Sequence, residues 1–190
     1  WMWFILGLQI VALAIIVERV IALYIKRKPT QKRNVLGFEK PIRQGQLDNV
    51  MEQTKAKDGE SIHRTVAAGT EAAMNMGGKD EIQGRMEEVI LEETEHIEKR
   101  TGFLAMIANV ATLAGLLGTI TGMIKSFAAV SQANPMEKAT LLSNGISEAM
   151  NTTAFGLIVA IPTLLIYSIL SNRSQVLTDD LNQAALKAYN

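Results

Sequence analysis

The stretch TLAGLLGTITGMIKSF at residues 112–127 and the stretch GISEAMNTTAFGLIVAIP at residues 145–162 decide the fold. Both are apolar enough to cross a bilayer as helices, yet both carry glycine and threonine at helical spacing within the leucine, isoleucine and valine surface. Small residues let membrane helices approach closely, and polar groups inside a span tend to face something other than lipid. The two stretches therefore predict a closely packed pair of transmembrane helices.

Glycines and threonines of the first stretch fall on neighbouring faces of a helix. Gly115, Gly118 and Gly122 occupy positions i, i+3 and i+7, and the last two form a GxxxG pair against which another backbone can pack. Thr112 and Thr119 are seven residues apart and so share a side, about 10 Å apart along the axis. We therefore expect a stripe of hydroxyl groups beside a stripe of glycine.

The second stretch repeats this pattern. Thr153, Gly156, Ala160 and Thr163 follow i, i+3, i+7 and i+10, which predicts one small and partly polar face. Pro162 has no N–H group, so the carbonyl group four residues earlier loses its helical partner. Two interpretations stay open. The threonines either serve helix packing alone, because each hydroxyl can bond back to its own helix, or they face a polar path.

The segment GLLGTITGMIKSF followed by GISEAMNTTAFGLIVAIPTLLIYS resembles the paired sequence pattern of the MotA/TolQ/ExbB proton channel family, and it is most similar to the ExbB and TolQ branch. The similarity is dense in the C-terminal part of the chain, with a looser match in VERV at residues 17–20. The family usually has Pro-Leu-Leu where this chain has Thr112, Leu113 and Ala114. This departure removes a proline from the start of the helix and adds a hydroxyl group.

The resemblance implies an all-α integral membrane protein with three transmembrane helices, two of them extended into the cytoplasm as a helical stalk. It implies the pore-wall subunit of a proton-driven motor in the bacterial inner membrane, working on a periplasmic or outer-membrane partner. It also implies a homopentamer around the membrane helix of an ExbD-like or TolR-like protein that supplies an aspartate, together with a TonB-like or TolA-like energy transducer. Thr119 and Thr153 match the channel threonines of the family, in GLLGT and NTTA respectively.

An ion path needs polar groups within the membrane and, as a rule, a titratable carrier. The runs of this chain hold no carboxylate near their middle, since Glu18 and Glu148 stand near the ends of the first and third runs. We therefore expect the carrier to come from another protein. The residues predicted to line the path are Thr119, Thr153, Thr112, Thr152 and Glu148. The residues predicted to pack the helices are Gly115, Gly118, Gly122, Gly156 and Pro162.

Composition excludes several other functions. The 190 residues hold 19 Lys and Arg, 19 Asp and Glu, two His and no Cys. Balanced charge without a basic patch interleaved with aromatic residues gives no reason to propose nucleic acid. The lack of cysteine removes disulfides, thiolate metal sites and cysteine nucleophiles, and His63 and His96 lie outside the apolar runs. We predict no cofactor, no metal and no enzymatic activity, and the alternative to an ion channel is a structural membrane scaffold.

Hydrophobic residues concentrate in three runs, and charge separates the first two. We expect further residues in front of Trp1, because the chain does not open on Met. Within the connection we predict short helices and then a long acidic helix, from residue 80 to 100, that runs straight into the second span. The predicted segments are transmembrane helices over 1–25, 102–127 and 145–171, a cytoplasmic connection and stalk over 26–101, a short periplasmic connection over 128–144 and a cytoplasmic C-terminal helix over 172–190.

Basic residues predict the orientation of the spans. Five of them lie within residues 26–33, so the positive-inside rule puts the long connection and the C-terminus in the cytoplasm and the N-terminus outside. The cysteine-free chain allows a direct test by single cysteine substitutions. An impermeant thiol reagent applied outside should label Pro135→Cys and leave Gly45→Cys and Asp180→Cys unlabelled, whereas the reverse pattern would refute this orientation.

Overall fold

The computed structural model describes residues 1–26, 37–38, 41–42, 44–55 and 61–189. These residues form helices joined by turns, with no strand among them. Most of the basic segment that predicts the orientation, residues 27–33, lies outside the described residues. The helices are α1 (Met2–Val20), a π-helical turn (Ile21–Lys26), α2 (Leu47–Lys55), α3 (Ser61–Met74), α4 (Lys79–Glu98), α5 (Thr101–Gln132) and α6 (Lys138–Tyr189).

The chain divides into two compact units. The first, here called the apolar unit, contains Trp1–Val20 and Arg100–Leu170, and the second, here called the polar unit, contains Ile21–Lys99 and Ser171–Asn190. The predicted fold class, an all-α membrane protein, is confirmed for the described residues. Three helical segments are long and apolar enough to cross a membrane, namely Met2–Ile25, Lys79–Gln132 and Lys138–Tyr189.

Helices α1, α5 and α6 share the core of the apolar unit. Ile5 of α1, Ala111 and Ala114 of α5 and Val159 of α6 are buried together. Phe155 and Leu8 pack against this cluster from its edge. Because alanine is small, the core positions of α5 let the neighbouring helices approach its backbone closely.

Polar contacts at both ends of α1 show the direction of this helix relative to α5. Near one end, the indole N–H of Trp1 donates a hydrogen bond to the hydroxyl of Thr121 at 2.9 Å. Near the other end, Arg19 is buried and its Nε donates to the hydroxyl of Thr101 at 3.2 Å. Since Trp1 contacts the later part of α5 and Arg19 contacts its first residue, α1 and α5 run antiparallel.

The backbone between α4 and α5 is interrupted at Arg100. This residue has a φ of 62°, in the left-handed region that costs an L-residue about 1–2 kcal/mol. A guanidinium nitrogen of Arg100 lies 2.7 Å from both carboxylate oxygens of Glu18, so an ion pair holds the strained residue in place. The sequence predicted an unbroken helix entering the second span, whereas in the structure α4 ends at Glu98 and α5 begins at Thr101.

Helix α6 is a single helix of 52 residues, where the sequence predicted separate helices over 145–171 and 172–190. Its length is about 78 Å at 1.5 Å per residue, more than twice the ~30 Å of hydrocarbon in a bilayer. No glycine or proline follows Pro162 within α6, so nothing in the sequence ends the helix before Tyr189. The connection predicted over 128–144 is correspondingly short and consists of residues 133–137.

The polar unit packs α2, α3, α4 and the C-terminal part of α6. Helix α4 lies against α3 at Gly69, where an added Cβ would meet the sulfur of Met86 at 2.7 Å. The C-terminal part of α6 contacts α4 through the hydroxyl of Ser174, which donates to the carbonyl oxygen of Ile97 at 3.3 Å. The buried cluster of this unit contains Phe38, Val50, Ile62, Val66, Leu181 and Ala184.

A buried carboxylate ties α3 to α4 in the polar unit. Glu93 is 4% exposed, and it accepts a hydrogen bond from the hydroxyl of Ser61 at 2.7 Å. The guanidinium group of Arg64 bonds to Glu93 and, at 3.2 Å, to Glu92. Burial acts to lower the pKa of Arg64, but the charges and hydrogen bonds of Glu93 and Glu92 outweigh that effect and raise this pKa above its ordinary value.

Removing the buried carboxylate should destabilise the polar unit. We expect Glu93→Ala to lower the free energy of unfolding by about 2 kcal/mol, because Ser61 and Arg64 both lose a charged hydrogen-bond partner. The matched control is Glu88→Ala, whose exposed pair with Arg85 at 3.2 Å should contribute no more than about 0.5 kcal/mol. Unfolding followed by circular dichroism in detergent measures both, and equal losses would contradict the assigned role of Glu93.

Candidate functional site

Two glycines bring the backbones of α5 and α6 together. A Cβ added to Gly156 would lie 2.7 Å from the carbonyl oxygen of Ala111 and 3.1 Å from the Cα of Gly115. A Cβ added to Gly115 would lie 3.3 Å from the Cα atoms of both Gly156 and Thr153. These neighbours are backbone atoms, which cannot move aside as a side chain could. The contact between α5 and α6 therefore depends on glycine at both positions.

Further along α5, two more glycines continue this contact. The methyl group of Thr152 occupies the space in which a side chain on Gly118 would stand. At Gly122 an added Cβ would lie 2.9 Å from the Cβ of Ala149. The three glycines that the sequence placed on one face of α5 thus all lie against α6 of the same chain.

The close approach brings two threonine side chains together. Thr119 of α5 and Thr153 of α6 form a hydrogen bond through their hydroxyl groups. The hydroxyl of Thr153 also lies 3.0 Å from the carbonyl oxygen of Gly115. The hydroxyl of Thr119 lies 3.3 Å from the same carbonyl oxygen and 3.2 Å from that of Ala149. Both threonines are half-buried, so the pair stays accessible from one side of the unit.

The two threonine hydroxyls have more acceptor oxygens within hydrogen-bonding distance than they have protons to donate. Each hydroxyl has one proton and two lone pairs, so the two threonines supply two donors in total. When the hydroxyl of Thr119 donates to that of Thr153, the proton of Thr153 can go to the carbonyl oxygen of Gly115, and each hydroxyl oxygen keeps accepting capacity. The pair is therefore suited to accept a hydrogen bond from a protonated group or a water molecule, and a rotated hydroxyl can donate instead.

The hydroxyls of the other threonines predicted for the path bond to carbonyl groups outside this pair. Thr112 is exposed on α5, and its hydroxyl donates to the carbonyl oxygen of Ala108 in its own helix at 3.0 Å. Thr152 is buried, and its hydroxyl lies 3.2 Å from the carbonyl oxygen of Glu148. Thr152 thus packs over Gly118, while the side chain of Glu148 is exposed.

Pro162 lies on the exposed side of α6, and the helix continues through it. The next residue, Thr163, is buried and its hydroxyl donates to the carbonyl oxygen of Val159 at 2.7 Å. Pro162 is thus placed away from the glycine contacts with α5.

Sequence reasoning missed the carbonyl groups of Gly115 and Ala149, which complete the hydroxyl pair. No sequence signal marks them, because every residue carries a backbone carbonyl. It also missed Ser126, which is buried on α5 and occupies the space over Gly145 of α6. Serine four residues after Gly122 continues the small face of α5, and this spacing was the available signal.

The site contains no group that titrates near neutral pH. Helix α5 has no Asp or Glu, and the part of α6 within the apolar unit has only Glu148. Among the described residues, no group of three or more His, Cys, Asp or Glu side chains is arranged to hold a metal ion. The hydroxyl pair can bind and orient a protonated group or water, but it cannot itself carry a proton across the span.

These features define a membrane protein in which two spans, packed through glycine, present a hydroxyl pair without a titratable partner. The chain belongs to the MotA/TolQ/ExbB proton channel family, whose model matches residues 56–183. The family resemblance seen in the sequence is thereby confirmed.

Curated relatives carry TolQ and ExbB names. The chain is 37% identical over 117 residues to the Tol-Pal system protein TolQ of Haemophilus influenzae, a match covering 60% of this chain and 45% of that protein. It is 33% identical over 93 residues to the biopolymer transport protein ExbB of Pseudomonas putida, covering 49% and 28% respectively. A TolQ of Pseudomonas aeruginosa is 36% identical over 92 residues, covering 48% and 39%. The chain thus spans less than half the length of these relatives.

The glycine contact gives a test of how α5 and α6 pack. Gly156→Ala should lower the free energy of unfolding by about 1–3 kcal/mol, because the new methyl group meets backbone atoms and must push the helices apart. Gly102→Ala on α5 is the matched control, since nothing lies within 4 Å of its added Cβ, and it should cause no loss. Thermal unfolding in detergent compares them, and a Gly156→Ala protein as stable as the control would rule out the close contact.

Proposed function

We propose that this chain is a pore-wall subunit of an ion-driven motor complex in the bacterial inner membrane, with the proton as the ion. The observation that carries the proposal is the Thr119–Thr153 hydroxyl pair, held half-buried between two apolar helices by glycine contacts. A half-buried polar pair within apolar spans favours a path for ions or water over contact with lipid. Membership of a proton channel family supports the same assignment.

The titratable carrier comes from a second protein in this proposal. The described spans offer hydroxyls and carbonyls, and a proton path through a membrane needs a group that gains and loses the proton. A single-span protein of the ExbD or TolR type, with an aspartate in its membrane helix, fits this requirement. Its protonated carboxyl would donate to Thr119 or Thr153, and its ionised form would accept from a rotated hydroxyl.

Several copies of the chain surround this partner in the proposed complex. A single copy leaves the half-buried hydroxyl pair, with its unused accepting capacity, open on one side, whereas a ring of copies turns the pair inward. We propose a homo-oligomer of five, as the family resemblance suggests. The ring lies in the lipid bilayer, and ion flow through it drives a TonB-like or TolA-like transducer toward a periplasmic or outer-membrane partner.

A structural scaffold is the second candidate, and specific contacts favour it for some residues. The hydroxyls of Thr112, Thr152 and Thr163 each bond to a carbonyl group of their own helix. Such bonds satisfy the hydroxyl within its own helix and form no polar link to a neighbouring helix. Thr119 and Thr153 differ from them because their hydroxyls bond across the two helices. If the chain is only a structural scaffold, loss of the Thr119–Thr153 pair should affect function no more than loss of the other threonine hydroxyls.

Removal of one hydroxyl separates the two candidates. Thr153→Val keeps the side-chain shape, so the complex should assemble, but proton flux should fall at least about tenfold because the partner carboxyl loses a hydrogen bond. Thr119→Val should behave likewise. Thr163→Val, on the same helix with its hydroxyl bonded to Val159, is the matched control and should keep flux within about twofold.

The measurement uses liposomes that contain this protein and its single-span partner, with a pH-sensitive dye inside and native mass spectrometry to check assembly. A fully conducting Thr153→Val complex would refute the pore-wall assignment. Equal loss of flux in Thr163→Val would show that the threonines act through packing instead.

A further inference from the structure

Asn109 is an exposed polar residue inside the apolar part of α5. It lies eight residues after Thr101, about 12 Å along the helix axis. Within the described part of the chain, its side-chain amide makes no hydrogen bond. A primary amide offers two donors and an acceptor, and leaving them unmatched in hydrocarbon is costly. A partner beyond the described residues, such as water or another chain, is therefore needed to satisfy Asn109.

Other polar groups of α5 do not raise this difficulty. The hydroxyls of Thr112, Thr121 and Ser126 each donate to a carbonyl group one turn earlier in the same helix. Thr119 bonds to α6. An asparagine side chain has two amide hydrogens, and in Asn109 neither is used within the described residues.

Asn109 also lies where a route from the hydroxyl pair to the inner end of α5 is needed. Eighteen residues, about 27 Å, separate Thr101 from Thr119 along the helix. Asn109 and Thr112 are the only polar side chains of α5 in that interval. On α6 the first polar residue after Thr153 is Thr163, which is buried and bonded to its own helix. On α5 and α6, Thr112 and Asn109 are thus the polar side chains available to such a route, and Gln9 of α1 adds a half-buried amide to the apolar unit.

The helical positions of these residues allow such a route. At 100° per residue, Thr112 is about 60° around the helix from Asn109, and Thr119 is about 20° from Thr112. All three thus fall within one quarter of the circumference of α5. Ala111 and Ala114 are buried on other sides of α5, and this quarter also contains the exposed side chain of Leu116. Water molecules can bridge the steps of about 4.5 Å and 10.5 Å along the axis.

We propose that Asn109 lies on the cytoplasmic side of the ion path, where its amide binds water that connects the Thr119–Thr153 pair to the cytoplasm. This inference rests on the proposed function, since it assigns a positioning residue to the same path. Asn109 holds and orders water by donating and accepting hydrogen bonds, and it does not titrate. The predicted orientation, with the start of α5 at the cytoplasmic face, gives the direction of the route.

Water access is tested first, without measuring ion flow. The thiolate form of cysteine reacts with charged methanethiosulfonate reagents, and it forms only where water reaches the thiol. In inside-out vesicles with the assembled complex, Asn109→Cys should react at least tenfold faster than Ile10→Cys. Ile10 is 65% exposed on α1, which runs antiparallel to α5, so it stands at a similar depth and, like Val11 and Leu13, belongs to an exposed apolar surface.

Three labelling outcomes are possible. Faster reaction at position 109 than at position 10 supports water at Asn109, whether or not the complex conducts protons. Equal, slow reaction at both positions overturns the inference. Disulfide formation between copies of the Asn109→Cys chain also overturns it, because the residue would then contact a second subunit instead of water.

Proton flux is tested next, in liposomes that contain the partner. Asn109→Leu should assemble normally and lower flux about tenfold, because one hydrogen-bonding group of the route is lost. Asn144→Leu is the matched control, an exposed asparagine near the start of α6 that should keep flux within twofold. Unchanged flux in Asn109→Leu overturns the inference. Failure of the wild-type complex to conduct would instead refute the proposed function, and the labelling result would stand separately.

Discussion

The contact between Gly115 of α5 and Gly156 of α6 is the constraint on which the rest of the apolar unit depends. Lipid is as apolar as leucine, so membrane helices gain nothing from hiding apolar side chains from each other and associate through close packing and hydrogen bonds. With glycine on both sides, the backbones approach until Ala111 and Gly115 touch Gly156 directly. That approach lets Thr119 and Thr153 bond across the two helices and reach carbonyl groups of both.

The two units of the chain obtain their stability in different ways. The polar unit buries larger apolar side chains such as Ile62 and Leu181 and joins α3 to α4 through the Glu93 carboxylate. The apolar unit relies on small residues, and its polar links include the contacts at the ends of α1 and the Thr119–Thr153 pair between α5 and α6. Core substitutions should therefore act mainly through lost volume in the polar unit, and through added volume in the apolar unit.

Helical spacing alone was enough to place three glycines on one face of α5, whereas the family resemblance singled out Thr119 and Thr153. The spacing could not say which helix that face contacts, because a glycine stripe fits any close neighbour. The carbonyl partners of the threonines were also beyond sequence reasoning, since backbone atoms leave no trace in the residue pattern. The left-handed Arg100 was unpredictable for a related reason, as that conformation normally indicates glycine and here an ion pair with Glu18 supports it.

Polarity along α5 shows what the sequence could have revealed and did not. Attention to threonine left Asn109 unremarked, although an amide inside an apolar run is as visible in the sequence as a hydroxyl. Its meaning depended on the structure, which shows that Asn109 is exposed while the neighbouring hydroxyls bond to their own helix.

The hydroxyl pair has a consequence for how acidity would control the proposed complex. Neither Thr119 nor Thr153 gains or loses a proton in the physiological range, so the wall supplies a fixed set of dipoles at every pH. The midpoint and steepness of a plot of ion flux against pH would then depend on the carboxyl group of the partner. The residues of this chain would set only the maximum flux. Related complexes could therefore use the same pore-wall subunit and still respond to different proton gradients, because the surroundings of the partner's carboxyl group set its pKa.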